Sequence, residues 1–300
     1  MSLDVFLELV EIKAKTASVI PFLLGICFSA YYFHSVNACL AIVFFIAMLL
    51  FNMAVDMLDN YNDYHHAIDK VEYKQKTNII GRENLSPRLV LTLIIIFSVI
   101  AALMGLWLVK IAGLPVLWMG IFCFAVGVLY SSGPHPISNL PFGELFSGFT
   151  MGFMIFLISV YLNTYQTFGW TWANLWRTFW VALPDELWIS NLMLANNLCD
   201  AEEDERNQRT TIIHYIGVPN GLRAFSLKNV LAFVVILVAP FLKLAPFTVW
   251  LTLLIVPFVY QQNKRLMQKQ VKKETFSSGV RILLVGSGVY LITYLLGMLF

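Results

Sequence analysis

The sequence has little charge. Only 13% of its 300 residues are Asp, Glu, Lys or Arg, about half the usage of a soluble domain. With 59% of the chain hydrophobic, that scarcity excludes an ordinary soluble fold. Cysteine is sparse too. Cys27, Cys39, Cys123 and Cys199 share no metal-ligand spacing, which excludes a zinc site and a disulfide framework. A basic leader is missing: residues 1–16 carry Asp4, Glu8 and Glu11, so no cleavable signal peptide is expected. The net charge of +2 gives no reason to expect a nucleic-acid partner. The apolar runs do not alternate in polarity, which excludes a membrane barrel. Only helices are left to satisfy their own backbone in lipid. The chain reads as an all-α, polytopic membrane protein, a single membrane-embedded domain over residues 1–300.

What is present is a series of apolar runs of about twenty residues. Nine spans are predicted, at about 17–34, 37–57, 88–109, 113–131, 143–162, 180–199, 224–242, 245–262 and 279–299. In the sixth, Pro184-Asp185-Glu186 suggests a helix start, with Trp170–Val181 lying at the interface. Nine spans place alternate loops on opposite sides. The N-terminus and the loops after spans two, four, six and eight then hold 17 of the 20 Lys and Arg residues. The other side has Lys110, Arg177 and Lys243. The basic side is cytoplasmic by the positive-inside rule.

Two acidic stretches fall on that side. The first is Asn52–Asp69, NMAVDMLDNYNDYHHAID. On a helix, Asn52, Asp56, Asp59 and Asp63 lie within an arc of roughly 60°. Carboxylates aligned this way repel one another, and ionisable groups beside a membrane point to function. The second follows span six: Asn196-Asn197-Leu-Cys-Asp200, then Glu203, Asp204, Asn207, Arg209 and Thr210. If helical, Asn196, Asp200, Glu203, Asp204 and Asn207 share an arc of roughly 100°. The remaining cytoplasmic loop, Tyr130–Glu144, is rich in Gly and Pro, has no Lys or Arg, and should form turns.

Oxygen-only ligands suit Mg²⁺, which uses a few carboxylates together with substrate phosphates. Lys70, Lys74, Lys76, Arg82, Arg206 and Arg209 lie near the acids and can meet phosphate charge. Acids, metal and bases together describe a diphosphate site, and a membrane bundle offers an apolar cavity for a hydrocarbon tail. The substrate these residues call for is a lipid diphosphate. The Lys264–Lys273 run reads as cytoplasmic loop charge, His65 and His66 as solvated residues, and Asp185 and Glu186 as a helix-start feature.

These motifs resemble the UbiA superfamily of intramembrane aromatic prenyltransferases, and within it the naphthoate-prenylating branch. Asp56, Asp59, Asn60, Asp63 and Tyr64 resemble its first Asn/Asp-rich motif. Asn196, Asn197, Asp200, Asp204, Arg209 and Thr210 resemble the second. Tyr130, Gly133, Pro134, Pro136, Gly143 and Glu144 resemble the Y-x-G-G-P-x-P…G-x-G-E loop, with Ser132 in place of the first glycine. Lys13, Lys15, Thr16, Pro21 and Gly25 resemble an N-terminal R-P-x-T…P…G, with Lys13-Ala14 in place of Arg-Pro.

The resemblance implies nine helices around a central cavity opening sideways to lipid, in a bacterial cell membrane. It implies two Mg²⁺ ions bridged by a polyprenyl diphosphate and held by Asp56, Asp59, Asn60, Asp63, Asp200 and Asp204. Asn52, Asn60, Lys74, Lys76, Arg82, Asn196, Asn197 and Arg209 would bind the diphosphate. Lys13, Tyr64, Tyr130, Gly133 and Glu144 would face a dihydroxynaphthoate-type acceptor. The prenyl group would pass to that ring with loss of carbon dioxide, giving demethylmenaquinone. Two alternatives stand beside this one: another acceptor, such as 4-hydroxybenzoate, or an ion-coupled transporter.

Overall fold

The fold is that of a computed structural model, which describes residues 1–66, 73–206 and 209–299. Asp69, Lys70 and Asn207 lie outside the described residues, as do the side chains of His66 and Arg206. Among the described residues all regular structure is helical. In chain order the α-helices are α1 (Leu3–Leu9), α2 (Thr16–Tyr32), α3 (Ala38–His66), α4 (Ile79–Arg82), α5 (Pro87–Ala112), α6 (Leu114–Ser131) and α7 (Gly143–Ser147). There follow α8 (Ile155–Thr164), α9 (Trp172–Cys199), α10 (Ala201–Arg206), α11 (Ile212–Val238), α12 (Val256–Gln268) and α13 (Lys272–Leu299).

Among the described residues, seven segments are long and apolar enough to cross a membrane: Ile12–Tyr32, Ala38–His65, Pro87–Ala112, Leu114–Ser131, Gly143–Thr164, Ile212–Val238 and Lys272–Leu299. They correspond to seven of the nine expected spans. The other two differ for identifiable reasons. The expected span 180–199 lies inside α9, a helix of 28 residues that carries Arg177, Asp185 and Glu186. Pro184 does not start this helix but sits within it. A membrane helix tolerates an interior proline where its neighbours re-satisfy the freed backbone. Asp185 and Glu186 are consequently mid-helix residues and not a helix-start feature. The expected span 245–262 is divided between a 3₁₀ segment, Phe247–Ile255, and α12. Pro246 stands before the first and a proline opens the second, so neither piece is a full-length helix by itself.

The chain forms two compact units: Met1–Thr16 with Ile42–Pro136, and Ala17–Ala41 with Ile137–Phe300. In the first unit, Leu9 and Val10 pack with Met57 of α3, Ile79 and Ile80 of α4, and Val90 and Ile94 of α5. Phe6, Tyr61 and Tyr64 close over that cluster. Burying Met57 fixes the rotation of α3, so the acidic stripe cannot turn into the core.

In the second unit α9 is the central helix. Close approach of its neighbours depends on small residues, as is usual inside membranes. A Cβ at Gly152 would stand 2.5 Å from Glu186 Cα, and one at Gly148 2.8 Å from the Glu186 carbonyl oxygen. From α13, a Cβ at Gly279 would meet Ala195 at 2.9 Å, and one at Gly286 would meet the Trp188 ring at 3.1 Å.

Candidate functional site

The first motif is a direct continuation of a membrane helix. α3 runs unbroken from Ala38 to His66, so Asn52, Asp56, Asp59 and Asp63 do share one face. All four are half-buried, while Ala54 and Met57 beside them are buried. Asn60 donates its amide to the Asp56 carbonyl at 3.1 Å. Asn78, not anticipated from sequence, is buried and donates to the Asn60 carbonyl at 2.9 Å. Its Oδ1 also accepts the Ile80 N–H at 2.9 Å, capping α4 and fixing that turn against the motif.

The cations around this stripe are not all where sequence suggests. Lys74 lies over the Tyr64 ring, 4.3 Å from its centroid. Lys76 is exposed. Arg82 pairs with Glu8 at 2.7 Å and with Glu83 at 3.0 Å. Lys13, expected on the acceptor side, is exposed. The residue that reaches the motif is Lys15, only 4% exposed in its side chain. Its ammonium donates to the Asn52 Oδ1 and to the Asn52 carbonyl, and pairs with the Asp56 carboxylate. The N-terminal motif contains this signal, because Lys15 follows Lys13 by two residues.

Beyond the first motif, Asn62 of α3 donates to Ser132 Oγ at 2.8 Å and to the Ser131 carbonyl at 3.0 Å. That fixes the end of α6, where Tyr130 sits half-buried, shortly before Gly133. Gly133 takes φ +95°, a conformation that favours glycine.

The second motif is not the single helix expected. α9 ends at Cys199, Asp200 is its C-cap, and α10 begins at Ala201. Aspartate competes for local backbone hydrogen bonds and so favours such junctions. The Asp200 N–H donates to the Asn196 carbonyl at 2.9 Å, and the Asp204 N–H to the Asp200 carbonyl at 2.8 Å. The chain therefore bends at Asp200 but keeps Asn196, Asp200 and Asp204 in sequence-local contact.

Lys272, which sequence presents as mere loop charge, is the cation at this motif. Its ammonium donates to Asn196 Oδ1 and to Asp200 Oδ2. Asp204 is buried, and its Oδ2 has no hydrogen-bond partner among the described residues. Burial pushes its carboxyl up to about 6, against the lowering effect of Arg209. Arg209 donates its N–H to the Asp204 carbonyl at 2.8 Å. Thr210 donates both its N–H, at 3.0 Å, and its hydroxyl, at 3.2 Å, to the Asn139 carbonyl. Asn197 donates to Glu144 Oε1 at 2.8 Å. These bonds tie the Gly/Pro-rich loop to the second motif.

Lys228 falls among the cytoplasmic loop cations when the spans are drawn from sequence. It lies instead within α11, donates to Ser190 Oγ at 2.6 Å, and is flanked by Glu144 and Glu186. A membrane-embedded cation of this kind is held by partners on facing helices.

Residues 18–285 match the UbiA prenyltransferase family. The chain belongs to that family. Two relatives are named 1,4-dihydroxy-2-naphthoate octaprenyltransferase. The one from Bacillus subtilis (strain 168) is 29% identical over 210 residues, 70% of this chain and 65% of that protein. The one from Mycobacterium tuberculosis is 27% identical over 215 residues, 67% of this chain and 69% of that protein. The chain thus spans about two thirds of the length of each. Among solved structures, a UbiA homolog from Aeropyrum pernix K1 superposes with a TM-score of 0.71 at 15% identity, covering 93% of this chain and 98% of that one. A UbiA homolog from Archaeoglobus fulgidus bound to GPP and Mg²⁺ superposes with a TM-score of 0.69 at 11% identity, covering 99% of this chain and all of that one. At these identities the likeness is one of fold.

The donor chemistry fits Mg²⁺. Among the described residues, no three His, Cys, Asp or Glu side chains gather tightly enough to hold a metal by themselves. Each motif instead offers an Asn Oδ1 and an Asp carboxylate that already converge on one cation, an ammonium. That partial oxygen set suits a metal completed by substrate phosphates and water.

Proposed function

We propose that this chain is a multi-pass membrane polyprenyltransferase, using Mg²⁺ to transfer a polyprenyl group from its diphosphate to a dihydroxynaphthoate-type ring. The observation that carries the reading is the convergence of an Asn oxygen and an Asp oxygen on one cation in each acidic motif. The names of the Bacillus and Mycobacterium relatives support the acceptor. The Archaeoglobus homolog, of the same fold, was solved with GPP and Mg²⁺.

In this reading Asp56, Asp59, Asn60, Asp63, Asp200 and Asp204 would hold two metal ions and, through them, the diphosphate. Bound Mg²⁺ supplies charge stabilisation on the departing diphosphate. The protein's own cations contribute to the same end. Lys74, Lys76, Arg82 and Arg209 meet phosphate oxygens, with Asn52, Asn196 and Asn197 as hydrogen-bonding neighbours. The bond between the prenyl C1 and its diphosphate oxygen breaks, and a bond from C1 to a ring carbon forms. Diphosphate and carbon dioxide leave. Lipid and the apolar helices exclude the water that would otherwise capture the allylic carbon. Lys13, Tyr64, Tyr130, Gly133 and Glu144 are assigned to the acceptor. The charge distribution supports a cell-membrane location with the N-terminus and both motifs cytoplasmic.

The test is direct. Purified protein is incubated with Mg²⁺, prenyl diphosphates of several lengths, and dihydroxynaphthoate in competition with 4-hydroxybenzoate. Mass spectrometry should identify a decarboxylated prenyl-naphthoquinol. Exclusive prenylation of 4-hydroxybenzoate would overturn the acceptor, and no prenylated product at all would overturn the activity.

A further inference from the structure

The two acidic motifs lie in different units, yet each is closed by the same device. In the first, Lys15 bridges Asn52 and Asp56, four residues apart on α3. In the second, Lys272 bridges Asn196 and Asp200, again four residues apart. Both lysines arrive from outside their motif. Lys15 ends the 3₁₀ turn Ile12–Lys15, immediately before α2, and Lys272 is the first residue of α13. Each therefore stands at the mouth of a membrane-crossing helix.

A lysine near an acid is ordinary on a surface. Lys15 is not on the surface, and a lysine is buried only when its charge is matched. At the second motif Lys272 is 45% exposed while Asp200 is 16% exposed, so the lysine is the more solvent-accessible member of that pair. The buried Asp204 Oδ2 nearby has no hydrogen-bond partner among the described residues.

We propose that Lys15 and Lys272 are built-in counterions. They hold the Asn52–Asp56 and Asn196–Asp200 oxygen pairs together when no metal is bound, and they move onto the diphosphate oxygens when metal takes those pairs. An ammonium and a divalent ion cannot share the same two oxygens, because like charges at contact distance repel strongly. Metal entry displaces the lysine. The displaced ammonium is then a loose point charge within reach of the incoming anion, a role that suits lysine's flexible stem better than arginine's rigid fork. The metal step rests on the geometry of the two pairs. The diphosphate step rests on the proposed prenyl-diphosphate activity.

Two titrations of the full-length protein in nanodiscs test this. Mg²⁺ alone is titrated into metal-stripped protein by calorimetry, then inorganic pyrophosphate is titrated at saturating Mg²⁺. Lys15→Met and Lys272→Met are compared with wild type and with Lys269→Met, whose lysine pairs with Glu274. Removing a counterion should tighten Mg²⁺ binding by about tenfold, the loss of one competing charge-assisted contact. It should weaken pyrophosphate binding by about as much. Lys269→Met should change neither. A structural lysine would weaken both ligands, and a lysine serving the diphosphate alone would leave Mg²⁺ affinity unchanged; either result overturns the proposal. Should the buried Lys15→Met variant fail to fold, Lys272→Met decides by itself. Wild type that binds Mg²⁺ but not pyrophosphate overturns the diphosphate reading of the site, while tighter Mg²⁺ in the variants would still uphold the counterions. Wild type that binds neither overturns both.

Discussion

Asn197 donates its side-chain amide to Glu144 Oε1 at 2.8 Å, and both residues are buried. One belongs to the last turn of α9 and the other to the first turn of α7. With the two Thr210 bonds to the Asn139 carbonyl, it ties the acidic motif to the Gly/Pro-rich loop. Glu144→Ala leaves a buried amide unsatisfied, a cost of about 1–3 kcal/mol. Thermal unfolding in detergent should show the loss, and transfer rate should fall with it. Glu144→Gln keeps an acceptor oxygen and should cost less, although Lys228 then loses one of its two flanking carboxylates.

The acids proposed to hold the metal should fail differently. Asp63→Ala and Asp200→Ala remove charge stabilisation of the leaving group, and each should lower kcat by at least about two orders of magnitude. Chelation with EDTA should abolish turnover and added Mg²⁺ restore it. Near-normal rates in both variants would make the stripes structural.

Cations at the edge of the first motif should act on binding. Arg82 is 37% exposed and already engaged by Glu8 and Glu83, and such exposed pairs are worth about 0–1 kcal/mol. In the proposed function an incoming diphosphate can therefore recruit it cheaply. Arg82→Gln and Lys76→Gln should raise KM for the prenyl diphosphate more than they change kcat, and steady-state kinetics separate the two. An unchanged KM in both would leave them as orientation signals for the membrane.

How far these features are legible in the sequence depends on whether they are written locally. The stripe Asn52–Asp63 repeats every three or four residues on one helix, and α3 displays it as the period demands. The family motif at Asn196–Thr210 is equally plain, but its bend at Asp200 is not, because arc arithmetic assumes an unbroken helix. Pro184 suggests a helix start. The packing of α9 against glycines of neighbouring helices overrides that signal. Lys15, Lys272 and Lys228 are hidden for another reason. Cytoplasmic segments are basic anyway, so charge alone does not distinguish a lysine that points at a polar partner 37, 72 or 38 residues away. Asn78 escapes notice because one asparagine in a polar stretch carries no periodic signal.

The packing around α9 makes its own prediction. Gly152 admits no Cβ without moving the Glu186 backbone. Gly152→Ala should destabilise the protein by about 1–3 kcal/mol, the usual cost of overpacking. Gly288, with nothing near its absent Cβ, is the matched control, and Gly288→Ala should be neutral or mildly stabilising through its helix propensity. Melting temperatures of the two variants, compared in one detergent, check the difference.

The buried Asp204 sets a pH dependence. Burial raises its carboxyl from 3.8 to about 6, so the folded chain holds this proton more tightly than the unfolded one. Its contribution to stability is therefore full below about 4 and is lost as pH rises through about 6. In the proposed role of Asp204 as a metal ligand, metal binding runs the other way, because a ligand carboxylate must be deprotonated. Mg²⁺ affinity should climb as pH rises towards 6 and level off above it. The stabilisation given by saturating Mg²⁺ should accordingly be larger at pH 7.5 than at pH 5. Asp204→Asn cannot titrate. In that variant the rise near pH 6 should flatten while overall Mg²⁺ affinity falls. Calorimetric Mg²⁺ titrations from pH 5 to 8, on wild type and Asp204→Asn side by side, would expose a different titrating group if the rise persists in the variant.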